Sequence, residues 1–145
     1  MPTIDAGPRR LRRVPEGWND EPYLHIGVRP LAPGIGAEIT GVDLAQALTD
    51  DVFAEVHRSL LECKVIFFRD QLLSAEEHLA FARSWGELEQ HPFIPRGDAD
   101  EVARFEKSDR TGGYENVWHA DVTWRECPAM GAILRAVEVP DVGGD

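Results

Sequence analysis

Hydrophobic positions follow three spacings along the first half of the chain, and each spacing predicts a different element. Between His25 and Thr40, apolar residues in extended segments flank the turn-rich link 33–36, which predicts a β-hairpin. The continuous apolar run 65–68 is typical of a strand buried on both faces. Between them, apolar residues recur at helical spacing and predict one apolar helix face, formed by Val52, Phe53, Val56, Leu60 and Leu61.

Capping residues predict where two helices begin. Thr49 precedes the acidic pair 50–51, so its hydroxyl can accept a hydrogen bond from a free amide while the carboxylates lie at the positive end of the helix dipole. Ser74 and Glu77 form a capping box for a second helix. Its inner face is expected to carry Phe81, Ala82 and Trp85, and Gly86 is expected to end it.

The second half of the chain has fewer helical signals and more extended ones. Residues 116–124 and 130–139 are rich in β-branched, aromatic and other apolar residues, and both are predicted strands, as is 102–107. The Pro- and Asp-rich stretch 89–100 is predicted to be a loop of the kind that carries function on a rigid scaffold. Two helices beside many strands indicate a mainly β domain with helical cover.

The segment around 116–124 contains the candidate chemistry, a His-x-Asp pair. In a strand, His119 and Asp121 would share one face with α-carbons roughly 6.6 Å apart, so both side chains could reach one point. An imidazole and a carboxylate supply two thirds of the 2-His-1-carboxylate triad that binds non-haem Fe(II). An exposed strand with an incidental ion pair is the alternative, but Trp118, Val122 and Trp124 favour burial, where His and Asp need partners or a metal.

Several motifs in a fixed order resemble the taurine/2-oxoglutarate dioxygenase family, the TauD/TfdA group. The segment 118–123 resembles the metal motif of that family. The resemblance covers about residues 24–145 and is more specific than any single motif. Its other motifs are Pro33–Ile39, Gly41–Leu44, Val65–Gln71, Gly86–Leu88, His91-Pro92, Gly131–Ala136 and Gly143–Asp145.

The resemblance implies a double-stranded β-helix, also called a jelly roll or cupin-like fold, of which this chain supplies only a part. It implies Fe(II) as the metal, with His119 and Asp121 as ligands, and 2-oxoglutarate as cosubstrate. The second metal histidine and the residues that bind the cosubstrate are expected beyond Asp145. We therefore expect residues 23–145 to be the N-terminal portion of a longer enzyme and this portion alone to be inactive.

The resemblance also implies a reaction and a set of substrate contacts. The enzyme would use O₂ to hydroxylate a C–H next to a sulfonate or sulfate, releasing succinate, CO₂, an aldehyde and sulfite or sulfate. His91 would bind the anion, while Val122, through its backbone amide, and Trp124 would line the pocket. Asn116 matches an amine-binding asparagine only after a one-residue shift. Ile94 stands where taurine enzymes carry a tyrosine, which favours an alkyl sulfonate or sulfate over taurine.

Composition limits the binding partners and the cellular location that are expected. A net charge of −11 argues against nucleic-acid binding and against binding to anionic membranes, although a small anionic substrate remains compatible with it. The two cysteines do not form a disulfide framework, and a reduced, cytoplasmic protein is expected. Residues 1–22, with four arginines among prolines and glycine, are predicted to be a mobile tail or, alternatively, a docking arm.

Other functions remain open from the sequence. One is a TfdA-like oxygenase that acts on another small carboxylate. A zinc or manganese hydrolase could also use His119 and Asp121. The other alternative is a non-catalytic metal-binding β-module, since this chain supplies at most two protein ligands and a two-ligand site should hold iron weakly. The resemblance is compatible with a homo-oligomer, and the sequence does not fix the oligomeric state.

Overall fold

A computed structural model describes residues 21–89, 102, 121–139 and 141 of the chain. The chain divides into two compact units, residues 1–81 and 82–145. The first unit contains a three-stranded sheet, one complete helix and most of a second helix. The predicted tail 1–22 lies outside the described residues except for its last two positions, so its mobility stays a prediction.

The first unit is organised around a small mixed sheet. Strand β1 (Gly27–Pro30) pairs antiparallel with β2 (Ala37–Thr40), and Val28 lies opposite Ile39. The predicted hairpin is therefore confirmed. Its link closes through a hydrogen bond of 3.0 Å from the Leu31 amide to the Gly36 carbonyl. Gly36 has φ +86°, a left-handed conformation that glycine adopts without a steric penalty.

Helix α1 (Asp50–Cys63) begins and ends as local chemistry predicts. The Thr49 hydroxyl accepts a hydrogen bond of 3.4 Å from the Val52 amide, which confirms the predicted cap. Lys64 follows the helix at φ 67° and donates its amide to the Leu60 carbonyl at 2.7 Å. The first turn carries two aspartates at the positive end of the helix dipole.

The buried face of α1 differs from the predicted face in part. Its buried residues are Val56, Ser59 and Cys63, whereas Leu61 is 47% exposed. Ser59 tolerates full burial because its hydroxyl donates to the Val56 carbonyl at 2.7 Å. The predicted face counted only large apolar residues. It therefore included Leu61 and left out Ser59 and Cys63, whose side chains are small.

Strand β3 (Ile66–Phe68) follows α1 and pairs parallel with β2. The sheet order is β1-β2-β3, so β3 lies at an edge of the described sheet. The prediction of a strand buried on both faces is wrong, since Phe67 is 41% exposed and the other two residues are half-buried. A continuous apolar run shows that a strand can be buried but does not show that both faces are covered.

Helix α2 (Ala75–Arg83) begins with the predicted capping box. The Glu77 carboxylate accepts the Ser74 amide at 2.6 Å, and the Ser74 hydroxyl accepts the Glu77 amide at 3.2 Å. The Ser74 amide is the main reason that the pKa of Glu77 lies below its ordinary value. Phe81 is buried and meets Phe68 edge to face, with ring centroids 6.0 Å apart.

A carboxylate on α1 holds the chain that leads into β1. Glu55 accepts backbone hydrogen bonds from Leu24 at 2.7 Å, His25 at 2.9 Å and Ile26 at 3.1 Å. Desolvation opposes ionisation of this group, but the three amide donors together lower the pKa of Glu55 below its ordinary value. Glu55 thus links the helix to the start of the sheet.

Changing Glu55 to glutamine is expected to destabilise the complete protein by about 1–2 kcal/mol at neutral pH, because an amide group would face three donors. Because the folded-state pKa is lowered, this contribution is complete above the ordinary value of 4.5 and is lost as pH falls through the folded-state value. Urea denaturation from pH 7 to pH 3 would measure it. Exposed Glu87→Gln is the control, and equal losses in the two variants would contradict the linking role.

The predicted mainly β architecture is confirmed in part. A sheet with two helices is present, but the helices are longer than the strands in the part of the chain that the structure describes. The predicted strand over 130–139 is wrong, because these residues are irregular and exposed, with Leu134 at 84% and Val137 at 80%. A strand needs a neighbour for its backbone groups, and among the described residues none pairs with this segment. The predicted strand 102–107 lies outside the described residues except for Val102.

The described ranges contain no helix that could span a membrane. Neither α1 nor α2 is long and apolar enough to cross a bilayer.

Candidate functional site

The six candidate site residues divide evenly between described and undescribed parts of the chain. Asp121, Val122 and Trp124 are described, whereas His91, Asn116 and His119 lie outside the described residues. The pairing of His119 with Asp121 therefore stays a prediction. The three described residues belong to the second unit and occupy one short segment.

That segment is a turn, so the predicted strand is wrong for residues 121–124. The Arg125 amide donates to the Val122 carbonyl at 3.1 Å and closes the turn. Composition favoured a strand because β-branched and aromatic side chains suit a pleated surface. A turn satisfies backbone groups locally, and no strand in the described ranges lies beside this segment to offer the alternative pairing.

Val122 has a strained backbone. Its φ is +56°, in the left-handed region, where a β-branched side chain is a genuine outlier. Such a conformation costs about 1–3 kcal/mol and persists only where the surroundings impose it. Strain of this kind clusters at functional sites, and here it lies next to a predicted metal ligand. No sequence signal predicts it, because valine is among the residues least suited to this conformation.

The residues on either side of Val122 are open to solvent. Asp121 is exposed, and the Trp124 side chain is 63% exposed, so the expected burial of this segment is wrong for both positions. An exposed tryptophan one turn from a carboxylate provides a large apolar surface beside a negative group. That combination suits a ligand with both an apolar part and a charged or metal-bound part.

An ion pair connects this turn to the segment that follows α2. Arg125 Nη1 lies 3.4 Å from Glu89 Oε1. Sequence analysis did not identify either residue, because neither is part of a motif and they are far apart in the chain. Only the structure could place them together.

The described part of the predicted metal site has donor chemistry that fits Fe(II). Within the described ranges no three His, Cys, Asp or Glu side chains cluster as metal ligands would. Asp121 nevertheless presents an exposed carboxylate, a donor that divalent iron accepts, two positions after an imidazole in the sequence. The residues present fit a site completed by further ligands from elsewhere.

The motifs and the site residues define a class of protein. The chain belongs to the taurine catabolism dioxygenase TauD, TfdA family, whose sequence model matches residues 27–145. The resemblance noted from the motifs is therefore confirmed over nearly the whole chain.

Individual relatives differ in the substrates their names state. The chain is 37% identical over 125 residues to an alkylsulfatase of Acinetobacter baylyi, and the alignment covers 86% of this chain and 39% of that protein. It is 31% identical over 140 residues to the alpha-ketoglutarate-dependent 2,4-dichlorophenoxyacetate dioxygenase of Cupriavidus pinatubonensis, covering 84% of this chain and 49% of that protein.

The fold of one solved structure supports the same family. A taurine dioxygenase from Burkholderia xenovorans superimposes with a TM-score of 0.50 and 39% sequence identity, covering 54% of this chain and 28% of that chain. The chain thus spans less than half the length of each of these proteins.

Proposed function

We propose that the complete protein is an Fe(II)- and 2-oxoglutarate-dependent dioxygenase that acts on a small organic sulfate or sulfonate. Family membership is the observation that carries this proposal. One oxygen atom of O₂ would enter a substrate C–H as a hydroxyl group. The other would enter 2-oxoglutarate, which loses CO₂ and becomes succinate. A hydroxyl on the carbon that bears the sulfate or sulfonate makes the product collapse to an aldehyde and sulfate or sulfite.

We propose that His119 and Asp121 bind the iron and that a second histidine completes the site. Bound iron supplies the oxidative chemistry, and the protein supplies geometry and exclusion of water. The exposed Asp121 carboxylate fits this role, because a ligand must face the metal and the substrate rather than the core. Asp121 lies in a turn and takes no part in the sheet formed by the described residues.

The residues after Asp121 would bind and shield the substrate. The half-buried Val122 would offer its backbone amide to the anion, and its positive φ fixes the direction of that amide. The exposed Trp124 ring would cover the apolar part of the substrate and keep water from the metal. His91 would bind the sulfate or sulfonate, and Asn116 would provide a further polar contact.

An alkyl sulfate is the favoured substrate within this class. Ile94 stands where taurine enzymes carry a tyrosine that helps to bind the amine, so an apolar chain replaces an amine partner. The similarity to a protein named alkylsulfatase supports the same choice. A carboxylate such as an aryloxyacetate is the second candidate, because the chain is also similar to a dichlorophenoxyacetate dioxygenase.

We further propose that residues 23–145 are the N-terminal portion of a jelly-roll domain. The superposition on the taurine dioxygenase supports this fold, since that match combines a TM-score of 0.50 with 39% identity. The chain covers 39% of the alkylsulfatase. On this proposal the exposed apolar residues of 130–139 would be covered by strands from the remainder of the domain.

Succinate formation by the complete enzyme tests the function. With Fe(II), O₂ and 2-oxoglutarate, we expect alkyl sulfates to stimulate succinate release more than taurine or aryloxyacetates, and His119→Ala to remove that stimulation. Zinc in place of iron should give no succinate, since Zn²⁺ has no redox chemistry. Cleavage of the substrate with zinc and without succinate formation would indicate a hydrolase. A protein that binds iron but never forms succinate would indicate a non-catalytic module. Faster turnover of taurine or of aryloxyacetates would contradict the substrate assignment alone.

A further inference from the structure

The sheet β1-β2-β3 has one covered face and one open face. Helix α1 packs on the sheet, and two alternate residues of β2, Ala37 and Ile39, are buried. Glu38 lies between them, so its side chain points to the other side of the sheet. Its register partners are Arg29 on β1 and Phe67 on β3, and these three residues define the open face.

The open face has an apolar centre. Phe67 is 41% exposed and Leu31 is 43% exposed. Both lie beside Gly36, where a β-carbon would be 3.9 Å from Phe67 Cε2 and 3.8 Å from Leu31 Cβ. The continuous apolar run 65–68 is typical of a strand that is covered on both faces, whereas α1 covers only one. The exposure of Phe67 therefore indicates that another layer belongs on the open face.

A charged cluster adjoins this apolar centre. Glu38 Oε2 accepts hydrogen bonds from Arg29 Nη2 at 2.9 Å and from Arg69 Nε at 3.3 Å. The Arg69 guanidinium also lies 5.7 Å from the centre of the Phe67 ring. Two guanidinium groups around one carboxylate leave one positive charge in excess, and the two arginines are 67% and 64% exposed. A layer that covers them must supply an anion, because an unpaired buried charge is strongly destabilising.

We propose that the open face packs against the second sheet of the jelly roll, supplied by the remainder of the domain, and that this sheet places an acidic side chain against Arg29 and Arg69. A jelly roll consists of two sheets packed face to face, so a sheet with a helix on one face turns its other face to the partner sheet. The inference rests on the proposed jelly-roll domain. The alkylsulfatase has more than half of its length outside the match, which is enough for a second sheet.

A second copy of the chain fits the open face less well. In a two-fold dimer the same surface meets itself, so the excess positive charges of the two copies would face each other. Both charges would then lose water without gaining an anion. An acidic side chain from the same protein offsets the charge, and the apolar residues around it cover Phe67 and Leu31.

Thiol labelling of the complete protein tests whether the open face is covered. Phe67→Cys is compared with Ala54→Cys, on the exposed side of α1, in a Cys127→Ser background, because Cys127 is exposed and Cys63 is buried. We expect maleimide to modify Phe67→Cys at least about 100-fold more slowly, since a covered thiol reacts only after local opening. Leu31→Cys gives the same comparison if Phe67→Cys does not fold. Rates within about tenfold of the control would overturn the proposal.

The dependence of labelling on protein concentration identifies what covers the face. Cover from the same chain protects Phe67→Cys equally at every concentration, because the contact is intramolecular. Protection that appears only as the concentration rises would show that a second copy covers the open face, and the proposal would be wrong.

Arg29→Gln tests for the acidic side chain through the sign of its effect on Tm. With an acidic partner the covered cluster is neutral, so the substitution leaves a negative charge in excess and should lower Tm by about 5–10 °C. The fall should persist in about 1 M NaCl, because covered charges are screened little. Without that partner the substitution removes the excess charge, and a rise, no change or a fall that salt abolishes would refute the acidic contact. Arg83→Gln, at an exposed arginine of α2, is the control and should change Tm by about 2 °C or less.

These results are separable from the test of the proposed function. If the wild type forms no succinate, the catalytic proposal fails, and the labelling rates still decide whether the open face is covered. If an active enzyme is labelled rapidly at Phe67→Cys, the catalytic proposal stands and the packing inference alone fails.

Discussion

Asp121→Asn is expected to abolish iron-dependent turnover in the complete enzyme without harming its fold. The neutral amide keeps the shape of the carboxylate but loses the charge that would bind Fe(II) under the proposed function. Groups that merely support a metal ligand are worth about 10–100-fold, so loss of a ligand should cost at least about 100-fold in kcat/KM. Because Asp121 is exposed, the expected change in stability is about 0.5 kcal/mol or less.

Glu126→Gln is the matched control for this prediction. Glu126 is an exposed carboxylate five residues further along the same segment, and its change to an amide removes the same charge. We expect wild-type succinate formation and iron affinity from this variant, measured beside Asp121→Asn together with thermal denaturation. If Asp121→Asn keeps most of its activity, or if both variants lose activity equally, Asp121 is not a metal ligand.

Val56→Asp should produce the largest loss of stability in the first unit. Val56 is fully buried on α1, so an introduced carboxylate would lose its hydration. The expected cost is at least about 4 kcal/mol, a large part of the roughly 5–15 kcal/mol that stabilises a typical domain. We expect a poorly soluble protein or a large fall in Tm.

An aspartate introduced two residues earlier in α1 distinguishes the effect of burial on stability from the effect of helix propensity. Ala54 lies on the exposed side of α1, and Ala54→Asp should cost only about 0.7 kcal/mol, the intrinsic preference of a helix for alanine. Circular dichroism during thermal denaturation of both variants measures the difference. Similar Tm values for the two would show that Val56 does not lie in the core.

The parts of the fold that were predictable from sequence depend on short-range chemistry. The Thr49 cap and the Ser74–Glu77 capping box satisfy amides within one turn, so the residue types alone identify them. The hairpin was equally local, because its two strands flank one short link.

The features that the sequence did not predict depend on contacts between residues far apart in the chain. Glu55 binds amides about thirty residues away, and Glu89 meets Arg125 from further still, so no local pattern contains either contact. The prediction of a strand at 121–124 used side-chain preference, but strand formation also needs a paired neighbour. Family resemblance, in contrast, depends on the order of motifs and is independent of local conformation.

The parallel pairing of β2 with β3 also sets an order of folding. Ala37 and Ile66 are register partners nearly thirty residues apart, so chain entropy opposes their meeting until the intervening loop is shortened. Helix α1 does this by converting half of the loop into a rod about 21 Å long. We therefore expect the hairpin and α1 to form first and β3 to join the sheet after them. During synthesis, the edge of β2 stays open until residues 66–68 have emerged from the ribosome.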